Sequence, residues 1–155
     1  QSPDGFNRLT LFDGPPLAIL TTPGAPWPKV DARPAGFRFG GYLLDKQRRP
    51  TFRYSFGELK VEDFFKERHH GDDEDFALDR IVTITGKITD GLYFRIGADG
   101  SPQRIAKNIY KCGDLTVHLS LPAGSTVVSR AGESDILVPI PSEAKKFVIK
   151  QTFEW

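Results

Sequence analysis

The densest set of metal-ligating side chains in the chain is His69, His70, Asp72, Asp73, Glu74 and Asp75. Imidazole with carboxylate suits zinc or copper, and carboxylates beside a glycine suit calcium. Two features weigh against a site. Adjacent histidines point to opposite sides of an extended segment, and the Asp72–Asp75 run lacks the alternating spacing of a calcium-binding loop. The candidate metal ligands are therefore His69, His70 and Asp72, set against a plainer reading in which residues 66–75 form a solvated, charged loop. His118 sits on the polar side of its strand pattern and reads as a surface histidine.

A second kind of chemistry is molecular recognition. Trp27 stands among Pro23, Pro26 and Pro28. A tryptophan held on a stiff loop can offer its face to the axial C–H bonds of a sugar ring. The same residue can instead plug one end of a core and bury a large apolar area. Arg38, Lys46, Arg48, Arg49 and Arg53 form a basic group, and Arg38 and Arg53 fit as cross-strand neighbours on one sheet face. Paired guanidinium groups grip carboxylates, for example on uronic acids or an acidic partner. Their plainer role is solubility and edge protection. Tyr42, Tyr54 and Tyr93 offer polar aromatic contacts, but Tyr54 shares an alternation with Phe52 and Phe56 and reads as core. The ligand-contact set is Trp27, Arg38, Tyr42 and Arg53.

Catalytic signals are sparse. Glu62 and Asp63 are neighbours, and neighbours on a strand face opposite sides, so they cannot flank one glycosidic bond. The chain has no Gly-x-Ser-x-Gly, no spacing that picks out a Ser-His-Asp triad, and no phosphate-cradling glycine pattern. No catalytic residue and no cofactor follow from these residues.

The elements that would position such groups are strands. Phe52, Tyr54 and Phe56 alternate with Thr51, Arg53 and Ser55, the period of a strand with one buried face. Residues 45–50 before them are polar and end in Pro50, a hairpin loop. Gly57-Glu58 turns into the run from Leu59 to Phe65, giving a three-stranded meander. Arg8–Phe12 and Leu17–Thr21 are short apolar runs split by Asp13-Gly14-Pro15-Pro16. Residues 22–35, rich in proline, read as an extended loop. Further on, the β-branched run within Leu78–Thr85, then Leu92–Ile96, Leu115–Leu121, Ser125–Ser129, Asp135–Ile140 and Phe147–Trp155 read as strands. Arg104–Tyr110 reads as one short strand. The total is about ten to twelve strands at roughly ten-residue spacing. No segment shows capped helical periodicity or strand-helix-strand alternation. The fold expected is all-β: a single antiparallel β-sandwich, jelly-roll-like, over residues 1–155.

Composition bounds the partners. The 155 residues suffice for one domain with a sizeable core. The formal net charge is +1, from 21 basic and 20 acidic residues, which gives no electrostatic case for nucleic acid or an anionic membrane. No apolar run approaches the roughly 20 residues of a membrane span. The single cysteine, Cys112, excludes an intrachain disulfide and reads as a small buried residue beside the Gly113-Asp114 turn. The given residues read as carrying no signal-peptide pattern. Gln1-Ser2-Pro3-Asp4 reads as a processed terminus or the edge of a domain excised from a larger protein.

Gly41-Tyr42-Leu43-Leu44-Asp45, Arg49-Pro50-Thr51-Phe52, Tyr54 and Val61-Glu62-Asp63 together resemble a segment, roughly GYRLD…RPTF.Y…V.VED, of large extracytoplasmic proteins of planctomycete-type bacteria. Those proteins carry c-type cytochrome modules, often beside sugar-dehydrogenase-like propellers. Asp135–Ile140 and the closing Phe153-Glu154-Trp155 are similar to the end of that module, so the resemblance covers most of residues 36–155. It implies an accessory β domain in a periplasmic or secreted protein and supplies no catalytic residues. The chain lacks Cys-x-x-Cys-His and so cannot attach a c-type haem covalently.

Three functions are expected from these readings. The first is a non-catalytic binding domain with a polysaccharide or oligosaccharide as ligand. The second is a docking domain that packs against a neighbouring cytochrome c or propeller module of the same polypeptide, marked by an exposed apolar patch. The third is a metal-binding domain at the His69/His70 loop.

Overall fold

Side chains alternate across a strand, so a run of apolar residues at every second position must find a second layer to cover it. The computed structural model, which describes residues 16–28, 37–69, 76–96, 102–130 and 135–154, meets this demand with two antiparallel sheets. The large sheet has eight strands: β2 (Phe37–Leu44), β3 (Pro50–Phe56), β4 (Leu59–His69), β5 (Phe76–Gly86), β7 (Gln103–Ala106), β8 (Ile109–Cys112), β9 (Leu115–Ser120) and β12 (Lys146–Glu154). Their spatial order is β2-β3-β4-β5-β12-β9-β8-β7. The small sheet has four strands, β1 (Leu17–Ile19), β6 (Leu92–Ile96), β11 (Asp135–Pro139) and β10 (Val128–Arg130), in the order β1-β6-β11-β10. The expected β-sandwich is thus what the chain forms, and no helix occurs among the described residues.

The core lies between the sheets. From the large sheet it takes Tyr54, Phe56, Leu59, Val61, Val82, Ile84, Val117, Leu119, Phe147, Ile149 and Phe153, the inward positions of five strands. From the small sheet it takes Leu17, Leu92, Phe94, Ile96, Ile136 and Val138. Cys112 belongs to the same cluster and is buried, as expected for a small residue beside the Gly113-Asp114 turn.

The β2–β3 hairpin forms as expected, although Pro50 opens β3 instead of closing the loop. The Asp45 side chain sets the turn, accepting hydrogen bonds from the amides of Gln47 (2.9 Å) and Arg49 (2.8 Å). Arg48 occupies the left-handed region there, with φ 63°. The β3–β4 turn is fixed from outside. Gly86, at φ +90°, ends β5 so close to it that a Cβ would lie 2.3 Å from the Glu58 carbonyl oxygen, so only glycine fits.

Three expected elements differ. Residues 66–69 are not loop: β4 continues to His69 and pairs with β5 along its length. Charge density does not oppose a strand when the charged side chains face solvent and find partners. Arg68 donates from Nε and Nη2 to the two Asp79 carboxylate oxygens, at 2.8 and 2.6 Å. Arg104–Tyr110 is a hairpin of two strands, β7 and β8, turning at Lys107-Asn108, with Asn108 at φ 60°. Asparagine tolerates that left-handed position, which is what permits so tight a turn. The run at 125–129 also forms strand only from Val128. Arg8–Phe12, Trp155 and residues 29–35 of the expected proline-rich loop lie outside the described residues.

The Arg68–Asp79 pair yields a pH prediction. Burial raises the Asp79 pKa, but hydrogen bonds from Arg68 and from the Thr152 hydroxyl (2.7 Å) outweigh it and hold the carboxyl below its ordinary 3.8. A depressed folded pKa contributes stability above the unfolded value, and that contribution is lost as pH falls through the folded value. With Arg68 40% and Asp79 25% exposed, the pair is worth at most about 1 kcal/mol. Urea midpoints of wild type and Asp79→Asn are expected to differ at pH 5 and to converge as pH falls below 3.8 through the lowered Asp79 value. A constant gap across that range would exclude the assignment.

Candidate functional site

Sheet parity decides which of the sequence-derived contact residues can act together. Arg38 pairs with Ser55, and Arg53 with Glu62, on the face of the large sheet that turns away from the core. Arg38 and Arg53 therefore do share a face, as expected, but diagonally rather than directly opposite, and the Glu62 carboxylate is the direct neighbour of Arg53. Tyr42 pairs with Phe52 and so lies on the other face, the one that carries the core. Trp27 is on neither: it belongs to the loop after β1 and packs outside the small sheet.

Trp27 covers a second, smaller core. Ala18, Leu20 and Leu137 are buried on the outer side of the small sheet, with Trp27, Ala25 and Tyr93 against them. The Arg95 guanidinium lies 4.9 Å from the centre of the indole ring, a cation–π contact. Burial holds Arg95 below the ordinary arginine pKa, with Asp135 opposing the shift. The loop is tied down by Arg130, which donates to the carbonyls of Pro23 (3.3 Å) and Ala25 while its Nε and Nη2 grip Asp135 at 2.7 and 2.6 Å. Trp27 is thus half-buried against the outer side of the small sheet and not at an end of the sandwich.

The candidate metal site is not assembled among the described residues. His69 ends β4, His70 and Asp72 lie outside those residues, and no group of three His, Cys, Asp or Glu among them could hold an ion. His118, on the outward face of β9, stands 3.4 Å from Glu154. Glu62 and Asp63 face opposite ways, as their adjacency required: Glu62 is exposed, whereas Asp63 is buried.

What the fold does assemble is an aromatic shelf. Next to the core, β2 and β3 present Phe39, Tyr42, Leu44 and Phe52 on the inward face of the large sheet. Yet Phe39 and Tyr42 are each 58% exposed and Leu44 is 48% exposed, so the small sheet stops short of this edge. Alternation alone would put residues 39 and 42 on opposite faces. A bulge at Gly40-Gly41, where Gly41 adopts φ +85°, absorbs one residue and turns both rings to the same side. The rings then run inward as a chain of contacts. Tyr42 and Phe52 are 6.0 Å apart, and Phe52 meets Phe65 edge-on at 5.9 Å. The Arg80 guanidinium lies 5.1 Å from the Phe65 ring and 5.8 Å from the Phe94 ring of the opposite sheet.

Arg80 is held in turn by Asp63, with Nε–Oδ1 2.8 Å and Nη2–Oδ2 2.6 Å. Burial pushes the nearby Tyr54 hydroxyl pKa upward, Asp63 adds to this, and Arg80 opposes it. The shelf is therefore anchored through Phe65 to a buried, fully oriented ion pair and does not stand on mobile loops. Phe39, Phe52, Phe65 and Arg80 were missed as site residues by sequence reasoning. The Gly40-Gly41 pair was the available signal, since adjacent glycines inside a strand mark a bulge and a change of facing. No protein-family profile, curated protein or solved structure matches the chain.

Proposed function

We propose that this chain is a non-catalytic, carbohydrate-binding accessory domain of an exported bacterial protein, with the aromatic shelf on β2 and β3 as its contact surface. The observation that carries the reading is that Phe39 and Tyr42, both largely exposed, face the same way on a sheet whose underlying rings are packed and fixed. Sugar rings bind to such surfaces because their C–H faces are apolar and flat while their hydroxyls remain in water. A preformed platform also spares the ligand the entropy cost of ordering loops. Tyr42 adds a hydroxyl at the rim for hydrogen bonding. The resemblance of residues 36–155 to a segment of extracytoplasmic proteins that carry c-type cytochrome and sugar-dehydrogenase-like modules supports the reading indirectly.

The test is affinity electrophoresis and calorimetry with a panel of soluble polysaccharides. Saturable binding is expected, weakened about tenfold or more by Phe39→Ala and by Tyr42→Ala. Both side chains are largely exposed, so melting temperatures are expected to stay near wild type. No binding across the panel, or binding indifferent to both variants, would sink the reading.

Docking against a cytochrome c or propeller module is the second reading, and it draws on a different property of the same strand. β2 is the terminal strand of the large sheet, and Leu43 on its opposite face is also exposed. An edge strand apolar on both faces is suited to being covered by protein, whereas a sugar needs one face only. Leu43→Ser separates the two readings: it leaves glycan binding intact and weakens docking.

A further inference from the structure

At the opposite edge of the large sheet, the two sheets part and leave a groove of about 630 Å³, within the range of small-molecule sites. One wall is the β7–β8 hairpin and the other is β10–β11. The register brings Arg104 directly opposite Tyr110 on the inward face of the hairpin, and Ser129 opposite Ile136 on the inward face of the small sheet. The sandwich thus ends here on polar side chains where an apolar pair would have closed it. Tyr110, Val127 and Ile136 line the groove on its apolar side, while Gln103, Arg104, Lys107, Asn108 and Ser129 supply polar groups.

The chemistry of this lining is one-sided. Two cations, two amides and two hydroxyls face the groove, and no carboxylate lines it among the described residues. Arg104 donates from Nε to the Ala106 carbonyl at 3.3 Å, and among the described residues no hydrogen bond engages its two terminal nitrogens. Such a pair of N–H groups matches the two oxygens of a carboxylate. The turn itself is held in place, because the Asn108 carbonyl accepts a 2.8 Å hydrogen bond from the Leu119 amide. Amides and hydroxyls beside the guanidinium fit hydroxyl groups beside the carboxylate, and the apolar side fits a carbon skeleton.

We propose that this groove is a binding site for a small hydroxylated carboxylate of the sugar-acid class, with Arg104 gripping the carboxylate and Lys107 adding a second charge. The site is independent of the aromatic shelf, from which it is separated by the full width of the large sheet. D-galacturonate is the probe, with D-galactose and inorganic phosphate as comparisons, read by calorimetry and by amide shifts in NMR spectra. Saturable galacturonate binding is expected, shifting the amides of Arg104, Asn108 and Ser129, and weakening with salt. Galactose and phosphate are expected to bind far more weakly. Arg104→Ala is expected to reduce affinity about ten- to a hundredfold. Ser129→Ala, on the other sheet, is expected to give a smaller loss. Tyr42→Ala is expected to leave galacturonate binding unchanged. Arg104 lies on an exposed edge strand, so an unchanged melting curve accompanies the loss. The proposal is overturned if galacturonate does not bind, if galactose or phosphate binds equally well, or if Arg104→Ala binds as wild type does.

Discussion

Asp63→Ala is expected to lower the unfolding free energy by about 3–5 kcal/mol. Asp63 and Arg80 are 4% and 8% exposed and share two charge-assisted hydrogen bonds. Removing the carboxylate strands a guanidinium between the rings of Phe65 and Phe94, where water cannot take the lost partner's place. The cost is that of an unpaired buried charge and exceeds the net worth of the intact pair, which desolvation largely cancels. Replacing both residues together, as Asp63→Leu with Arg80→Met, is therefore expected to recover most of the loss. Equilibrium urea unfolding of Asp63→Leu, Arg80→Met and the double variant reads the coupling directly. A single-variant cost below about 1 kcal/mol would show that the pair does not behave as a buried ion pair. Glycan affinity is expected to fall in Asp63→Ala as well, because Phe65 supports the shelf and leans on Arg80.

The same experiment bears on Gln151, which lies directly across from Arg80 on β12. It is 2% exposed, and no described protein group bonds its side-chain amide. A buried amide without a protein partner carries a desolvation cost, and an apolar residue of similar shape does not. Together the three residues make the middle of this core polar, in a position where alternation alone would call for aliphatic side chains.

Arg130→Ala is the second large effect, again about 3–5 kcal/mol. Arg130 and Asp135 are both buried, with side chains 5% and 6% exposed. Here a local consequence accompanies the global one. Arg130 also carries the loop of residues 21–28 through its hydrogen bonds to the Pro23 and Ala25 carbonyls. Without it, the cover over Ala18, Leu20 and Leu137 loses its anchor. Limited proteolysis is expected to cut first within residues 21–26 in the variant and not in wild type, and indole emission is expected to shift red as Trp27 gains water. Arg130→Lys keeps the charge but not the planar fork, so it is expected to recover only part of the loss. Global destabilisation without preferential cleavage of this loop would mean that Arg130 supports the sheet alone.

Both predictions rest on arginines that were not singled out in the chain. Arg38 and Arg53 drew attention because they flank an aromatic hairpin, and they prove to face outward from the large sheet. Arg80 sits in the run that begins Leu78-Asp79-Arg80-Ile81, where its alternation with Val82 and Ile84 places it inward. Its complement, Asp63, is 17 residues earlier on the neighbouring strand. Only the β4–β5 register brings the two together. A one-residue slip would have turned one of them outward and left the other unpaired.

The sequence by itself determined the class of structure and most of the strands, because period-two alternation and turn residues are local properties of the chain. It also determined that Tyr54 is core, that Glu62 and Asp63 cannot act together, and that Cys112 is a buried structural thiol. Tertiary structure alone decided the surfaces. Trp27 became a cover because Arg130, over a hundred residues away, reaches back to its loop. Tyr42 and Phe39 are exposed because a four-stranded sheet cannot cover an eight-stranded one, and the difference in width is a property of the pairing order, not of any one strand. The groove at Arg104 exists for the same reason at the other edge. Which faces are buried is set by distant partners through register and sheet width, and those are carried by no local pattern in the chain.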